Sequence, residues 1–168
     1  MKRLMLLVII VFGIDIASAQ QLPQFTQYMY NTISVNPAYA GSRQVLSMVG
    51  IHRSQWAGFG KGPETQTISI HAPLRNDKIG VGLSFINDKL GYEKFTYLYG
   101  DFSYTIQLND QIKLAFGLKA GFTQYNLDDE LIASEGADPG ISGVRNRWEP
   151  NIGTGMFLHT DKWYVGLS

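Results

Sequence analysis

The stretch "IKLAFGLKAGF", residues 112–122, places an apolar side chain at every second position, with lysine, alanine or glycine between them. Because successive side chains of a β-strand point to opposite faces of a sheet, this period of two predicts a strand and excludes a helix. In a soluble sandwich the apolar row would face a core. In a membrane barrel it would face lipid, and the Lys/Gly row would line the lumen.

The same period-two pattern recurs along most of the chain. The pattern is clear over residues 67–72, 79–85, 101–108 and 112–126. It is weaker over residues 46–52, 151–159 and 163–168. Such alternation between turn residues predicts about seven β-strands, and no amphipathic helix after the amino terminus.

The links between the predicted strands alternate in length. Short turns rich in Asn, Asp and Pro occur at residues 73–77, 109–110 and 160–162, and longer links occur at residues 53–64, 88–94 and 127–150. In an antiparallel meander this order places all long links at one end of the sheet. Outer-membrane barrels have that asymmetry, with short periplasmic turns and long external loops, whereas a soluble sandwich has no reason for it.

The strand predicted over residues 112–126 is long enough to cross a membrane. At about 3.3 Å per residue it reaches on the order of 50 Å, which spans a hydrocarbon layer of about 30 Å even when tilted. We therefore predict that its apolar row meets lipid and that its Lys/Gly row lines a watery lumen. On this interpretation Phe116→Leu should be tolerated, Phe116→Arg should cost about 2–4 kcal/mol near mid-membrane, and Lys119→Glu should disturb folding much less.

Aromatic residues gather toward the ends of the predicted strands. They are Phe95, Tyr97, Tyr99, Phe122, Tyr125, Trp163 and Tyr164. Rings with an apolar body and a polar edge suit the headgroup level of a bilayer, which predicts aromatic girdles. The alternative is that aromatic residues are simply common in strands.

The amino terminus predicts export. Two basic residues precede an apolar run over residues 4–14, and Ala17 and Ala19 occupy the small-residue positions of an A-x-A cleavage site. The run is too short to span a bilayer as a mature helix. We therefore predict a cleaved signal peptide over residues 1–19, with a retained anchor as the alternative.

The composition excludes several classes of protein. The chain of 168 residues has 14 basic and 14 acidic residues and no cysteine. The balanced charge gives no indication of a nucleic-acid partner. Without cysteine the exported chain has no disulfide framework, no thiolate metal site and no thiol for lipid attachment. Packing or a bilayer must therefore stabilise it.

Longer blocks of the sequence resemble the PorP/SprF family of outer-membrane proteins, which serve type IX secretion and gliding motility in Bacteroidota. The blocks are "PQFTQYMYNTISVNPAYAGS" (23–42), "HRSQWAGFGKGPETQTISIHAPL" (52–74), "KIGVGLSFINDKLG" (78–91), "NDQIKLAFGLKAGF" (109–122) and "PNIGTGMFLHTDKWYVGLS" (150–168). The most specific motifs are "NPAYAGS" and "RSQWAGFGKGPETQT". Family members are longer, so the resemblance implies that this chain is the amino-terminal part of one.

The resemblance implies a barrel that supports export or surface anchoring of partner adhesins, rather than a catalyst. We predict an all-β, antiparallel transmembrane β-barrel of the outer membrane, here incomplete with about seven strands. The domains would be a signal peptide (1–19), a periplasmic or plug-like segment (20–45) and the amino-terminal part of the barrel (46–168). Its partners would be outer-membrane lipid, other secretion-system proteins and a large surface adhesin.

The sequence offers no strong catalytic or metal-binding motif. His52, His71 and His159 lack the spacing of metal ligands, and no serine lies in a G-x-S-x-G setting. The glycine-rich "GFGKG" (58–62) lacks the Ser/Thr and the helix of a phosphate loop. An acidic cluster in the 127–150 link matches no EF-hand, so a solvated loop is favoured over calcium binding; it comprises Asp128, Asp129, Glu130, Glu135 and Asp138. We predict no enzyme activity and no cofactor.

Two alternative functions remain beside the secretion component. Small Gly, Ser and Thr side chains on the lumen row would suit a general porin or small-molecule transporter, and an exported hydrolase is a distant third. For a structural component we predict partner contacts through aromatic residues that strand packing does not explain. These are Phe25, Tyr28, Tyr30 and Tyr39 before the first strand, and Trp56 and Phe59 in a long link. Aromatic residues are favoured at interface hot spots, although the early segment could instead fill the barrel as a plug.

Overall fold

The computed structural model describes residues 28–56, 58, 61–74, 77–128 and 146–168. Within them, seven strands form one sheet in which each strand pairs antiparallel with the next along the chain. They are β1 (Ser47–Ser54), β2 (Glu64–Pro73), β3 (Ile79–Leu90), β4 (Glu93–Gln107), β5 (Lys113–Leu127), β6 (Arg147–His159) and β7 (Tyr164–Leu167). The sheet forms a half-barrel, so the predicted all-β antiparallel fold, an incomplete β-barrel of about seven strands, is confirmed.

The two faces of the sheet differ as the period-two pattern predicts. In β5, Ala115, Gly117 and Lys119 are buried, whereas Phe116 and Leu118 between them are 43% and 57% exposed. Buried and exposed side chains alternate in the same way in the other long strands. We call one side the polar face; its buried side chains include Ser69, Ser84, Asp101, Ser103 and Lys119. The opposite side is the apolar face; its exposed side chains include Leu83, Phe85, Leu98, Phe102, Phe116 and Leu118.

The chain before β1 lies against the polar face. We call residues 28–44 the inner segment. It contains a 3₁₀ turn (Tyr28–Tyr30), the short helix α1 (Thr32–Val35) and a second 3₁₀ turn (Pro37–Tyr39). These turns are too short to show a helical apolar period, which is why the sequence does not predict them. Among the described residues, no helix has the length and apolar character needed to cross a membrane.

The link between β3 and β4 differs from the prediction. The sequence suggested a long loop over residues 88–94, but only Gly91 and Tyr92 lie between the two strands. The flanking residues pair across the strands, as in Leu90 with Glu93. Gly91 has φ 63°, the positive value that two-residue hairpin turns require and that glycine adopts without strain. The strict alternation of long and short links was therefore wrong at this position.

The aromatic residues of β4 also differ from the prediction. Tyr97 and Tyr99 are 6% and 2% exposed and lie on the polar face, so they are not part of a girdle in contact with lipid headgroups. The reason is strand parity, because they share a face with Asp101. The Phe95 and Tyr97 rings stack at 6.2 Å, and the Tyr99 hydroxyl lies 3.2 Å from Thr123 Oγ1. Of the other predicted girdle residues, Phe122 and Trp163 are exposed, whereas Tyr164 pairs with His159 and packs on Phe157 of the polar face at 5.4 Å between ring centroids.

Candidate functional site

A buried ion pair lies at the centre of the polar face. Asp101 of β4 and Lys119 of β5 are cross-strand partners, and Lys119 Nζ lies 3.6 Å from Asp101 Oδ1. Their side chains are only 0% and 6% exposed, respectively. Ser84 Oγ donates a further hydrogen bond of 3.4 Å to Asp101 Oδ2. Burying two charges is costly unless additional hydrogen bonds complete their surroundings, so the remaining partners of the lysine matter.

Those partners belong to the inner segment. Lys119 Nζ donates hydrogen bonds to the carbonyl oxygens of Ile33, at 3.1 Å, and Ser34, at 2.7 Å. Both carbonyls lie in α1, and the last carbonyls of a helix have no partner within it and attract cations. The ammonium group therefore joins two strands to the inner segment. The expectation that Lys119 meets a watery lumen was wrong, because the inner segment covers it.

A second attachment is made by Asn36, which lies between α1 and the following 3₁₀ turn. Its side-chain Nδ2 donates to the carbonyl of Met156 at 2.9 Å and to that of Leu167 at 3.3 Å. Its Oδ1 accepts from the Ala38 backbone N–H at 2.9 Å and so caps the 3₁₀ turn. One buried amide side chain thus shapes the inner segment and holds it to β6 and β7.

Further hydrogen bonds connect the inner segment to β2 and β4. Ser69 Oγ donates to Asn31 Oδ1 at 2.5 Å, and Ser103 Oγ donates to the carbonyl of Ala40 at 2.6 Å. The backbone N–H of Gly41 donates to Nδ1 of His71 at 3.1 Å. Polar side chains of the strands therefore satisfy groups of a segment that has almost no regular secondary structure of its own.

Glycines of the strands allow this close approach. A Cβ atom built on Gly80 would collide with the carbonyl of Ala40, and one built on Gly117 would collide with the backbone of Ala38. Only glycine lets two backbones approach so closely, so Gly80 and Gly117 are matched to the segment above them. Gly82 and Gly155 leave room in the same way for the side chains of Ile33 and Asn36.

Aromatic packing completes the contact. The Tyr39 ring meets the His71 ring edge-on at 5.4 Å and the Phe157 ring at 5.3 Å. Phe157 packs with Ala38 and Ala115 in a small buried apolar cluster. Edge-to-face pairs of this kind contribute beyond the area that they bury. The inner segment is therefore held by an ion pair, hydrogen bonds, close backbone contact and ring packing together.

The comparison with protein families identifies the chain. The family described as type IX secretion system membrane protein PorP/SprF matches residues 17–168. This chain belongs to the PorP/SprF family. It is thus a type IX secretion membrane component, which associates with other proteins of that system. No curated protein and no solved structure matches the chain.

The aromatic residues predicted to contact partners of this PorP/SprF protein lie in different parts of the structure and differ in exposure. Tyr28 and Tyr30 share one 3₁₀ turn and are 50% and 68% exposed. Trp56, in the link after β1, is 71% exposed. Tyr39 is half-buried against the sheet, as described above. Phe25 and Phe59 lie outside the described residues.

The histidines, the acidic cluster and the glycine-rich link noted in the sequence do not form a site within the part of the chain that the structure describes. The histidines make contacts within the fold, and most of the other residues lie outside the described ranges. His71 bonds to the inner segment, His159 packs on Phe157 at 5.2 Å between ring centroids, and His52 Nδ1 lies 3.9 Å from Glu64 Oε1. Across the described ranges, no three His, Asp or Glu side chains are grouped to hold a metal ion. Of the acidic cluster only Asp128 is described, and "GFGKG" is described only in part.

The contacts of the inner segment were not predicted from the sequence of this PorP/SprF protein. Lys119 and the carbonyls that it binds are more than 80 positions apart, and backbone carbonyls carry no sequence signature. One signal was present. Glycines occupy the polar-face positions Gly80 and Gly82 in β3 and Gly117 and Gly121 in β5, which indicates a row that something approaches closely.

Proposed function

We propose that this chain is a non-enzymatic outer-membrane β-barrel component of the type IX secretion and gliding apparatus, which supports export or surface anchoring of partner adhesins. In this proposal the signal peptide over residues 1–19 is removed on export, residues 20–45 form a plug, and the strands from residue 46 onward form the barrel wall. The observation that carries it is the attachment of the inner segment to the polar face.

The apolar face supports placement in a bilayer. Its exposed residues alternate with buried polar ones over strands of up to 15 residues, the length of β4 and β5. A soluble monomer rarely exposes a continuous apolar surface of this extent, because removing it from water is favourable. In an outer membrane the same surface would contact lipid chains, and β-strands are the spanning element of that membrane.

The polar face distinguishes a structural component from a diffusion porin. A porin needs a hydrated row of side chains along its lumen. Here the centre of that row, at Asp101 and Lys119, is buried beneath the inner segment, and its polar groups bond to backbone atoms of that segment. A wall whose lumen row is occupied by its own chain is suited to holding partners rather than to passing solutes.

Conductance tests this distinction. The purified full-length protein in a planar bilayer should show little steady conductance. Gly117→Val, whose side chain would collide with the Ala38 backbone, should displace the inner segment and raise the conductance. Gly100→Val is the matched control, since a Cβ at Gly100 meets only the Ala120 carbonyl, at an ordinary 3.8 Å. Porin-like conductance of the unaltered protein would favour the small-molecule pore instead.

We further propose that the exposed aromatic residues contact secretion-system partners. Tyr28 and Tyr30 are exposed at the start of the inner segment, and Trp56 is the rival contact in the β1–β2 link together with Phe59. Tyr28→Ala with Tyr30→Ala should reduce recovery of other type IX secretion proteins in a pull-down while the barrel still assembles. The control is Tyr104→Ala, a tyrosine of the apolar face that is 45% exposed. Unchanged recovery with the double variant and reduced recovery with Trp56→Ala would assign the contact to the loop.

A further inference from the structure

A polar groove lies at the end of the sheet that carries the short turns. Its volume is about 410 Å³, within the range of ligand-binding clefts. It is bounded by the end of the inner segment, by the β2–β3 turn and by the adjoining ends of β4, β5 and β6. Side chains that bring hydrogen-bond donors to it are Gln44, Lys78, Gln107, Lys113 and His159.

Strand parity places this groove on the polar face. Gln107 shares a face with Ser103, and Lys113 shares a face with Ala115. In register, Gln107 lies opposite Lys113, and Lys113 lies opposite His159. The groove therefore continues the polar face beyond the inner segment, at the mouth of the half-barrel. A ligand would reach it from water rather than from the lipid side.

The groove has more donors than acceptors. Asp77 supplies one carboxylate, against two ammonium groups, an imidazole and two amides. Within the described part of the chain, neither Lys78 nor Lys113 makes an ion pair. Carboxylates are the acceptors that lysine binds most strongly. The missing component is an anionic acceptor.

The spacing of the donors selects the kind of anion. Lys78 precedes β3, and its carbonyl accepts from the Thr105 N–H, which aligns it with the end of β4. From β3 to β6 is three strand spacings, so the line from Lys78 through Lys113 to His159 extends over about 14 Å. A small inorganic anion cannot contact such a row. Carboxylates at alternate positions of an extended peptide recur about every 7 Å and can.

We propose that this groove binds an acidic, extended peptide segment of a partner protein, with carboxylate side chains on Lys78 and Lys113 and a further oxygen atom on the imidazole N–H of His159. The segment would approach from the short-turn end, and the glutamine amides would donate further hydrogen bonds. The proposal does not depend on the role in secretion, because it concerns binding by the purified chain.

The experiment measures binding of fluorescent peptides to the detergent-purified full-length protein. One peptide alternates Glu with Ser, and the second replaces each Glu by Gln. The Glu peptide should bind and weaken as salt is raised, and the Gln peptide should not bind. Lys78→Gln with Lys113→Gln should weaken binding of the Glu peptide at least about tenfold, since each loses a charge-assisted hydrogen bond.

Lys89→Gln with Lys162→Gln is the matched control, because it removes the same charge outside the groove. Each variant is first checked for a folded barrel by its heat-modifiable migration in detergent gels. Equal weakening by both double variants would overturn the proposal in favour of general charge attraction. Inorganic phosphate that displaces the peptide at equal concentration would overturn it in favour of a small-anion site, and equal binding of the Gln peptide would exclude carboxylate recognition.

Discussion

Replacing Lys119 with methionine tests the central contact of the inner segment. Methionine has nearly the same length and no charge, so the substitution removes the ammonium group while leaving most of the packing in place. Asp101 then remains as a buried carboxylate whose side chain is 0% exposed, with only a long hydrogen bond from Ser84. The carbonyls of Ile33 and Ser34 lose their donor at the same time.

The expected change in the free energy of unfolding follows from these lost contacts. Removing one partner of a buried ion pair destabilises a protein by about 3–5 kcal/mol, because the other charge stays buried and unpaired. The unsatisfied carbonyls contribute to the same figure and are not added to it. If Asp101→Asn is combined with Lys119→Met, no unpaired charge remains. The double variant should then lose only about 1–3 kcal/mol, the cost of the unmet carbonyls.

The assay is urea-induced unfolding of the full-length protein in lipid vesicles, followed by tryptophan fluorescence. Lys113→Met is the matched control, since Lys113 lies on the same face of β5 and is half-buried; it should change the free energy of unfolding by no more than about 0.5 kcal/mol. A loss below about 1 kcal/mol for Lys119→Met would refute the reasoning. So would a double variant less stable than Lys119→Met alone.

Three further predictions concern the two faces. Phe116→Arg should lower the unfolding free energy in vesicles by about 2–4 kcal/mol while Phe116→Leu changes it little, because arginine at mid-membrane meets lipid; equal effects would mean that Phe116 does not face lipid. Gly80→Ala should make the inner segment sensitive to protease, since its Cβ would collide with the Ala40 carbonyl, whereas Gly153→Ala, with its nearest contact at 3.6 Å, should not. Asn36→Ala should destabilise by about 1–3 kcal/mol through two strand carbonyls left without its donor, and an unchanged urea midpoint would contradict this.

The strands were predictable because their pattern is local. In β5 the polarity of each residue indicates the face on which it lies, since a side chain that meets lipid must be apolar whatever lies elsewhere in the chain. The same logic located most strands and the general fold. It failed at the β3–β4 turn, where Asp88, Lys89 and Lys94 were taken for a polar loop. They lie in the paired ends of the two long strands β3 and β4.

The environment of the polar face was not predictable in the same way. Small and polar residues in a strand are compatible with water, with a ligand or with another part of the chain. Lys119 and Gly117 fit a hydrated lumen as well as they fit a packed segment. The choice depends on backbone groups near Ile33 and Ala38, which no side-chain pattern displays. Side-chain identity therefore predicted the face and left open whether water or the early segment occupies it.

The inner segment and the sheet depend on each other unequally. Paired backbone ladders hold the strands together, and these bonds do not require the inner segment. The inner segment, by contrast, contains a helix of only four residues, which cannot be stable alone. Its order comes from Lys119, Ser103 and the other groups of the polar face. Loss of several of those contacts together should therefore release the segment while the strands stay paired, because local units with few contacts of their own open before the elements that support them.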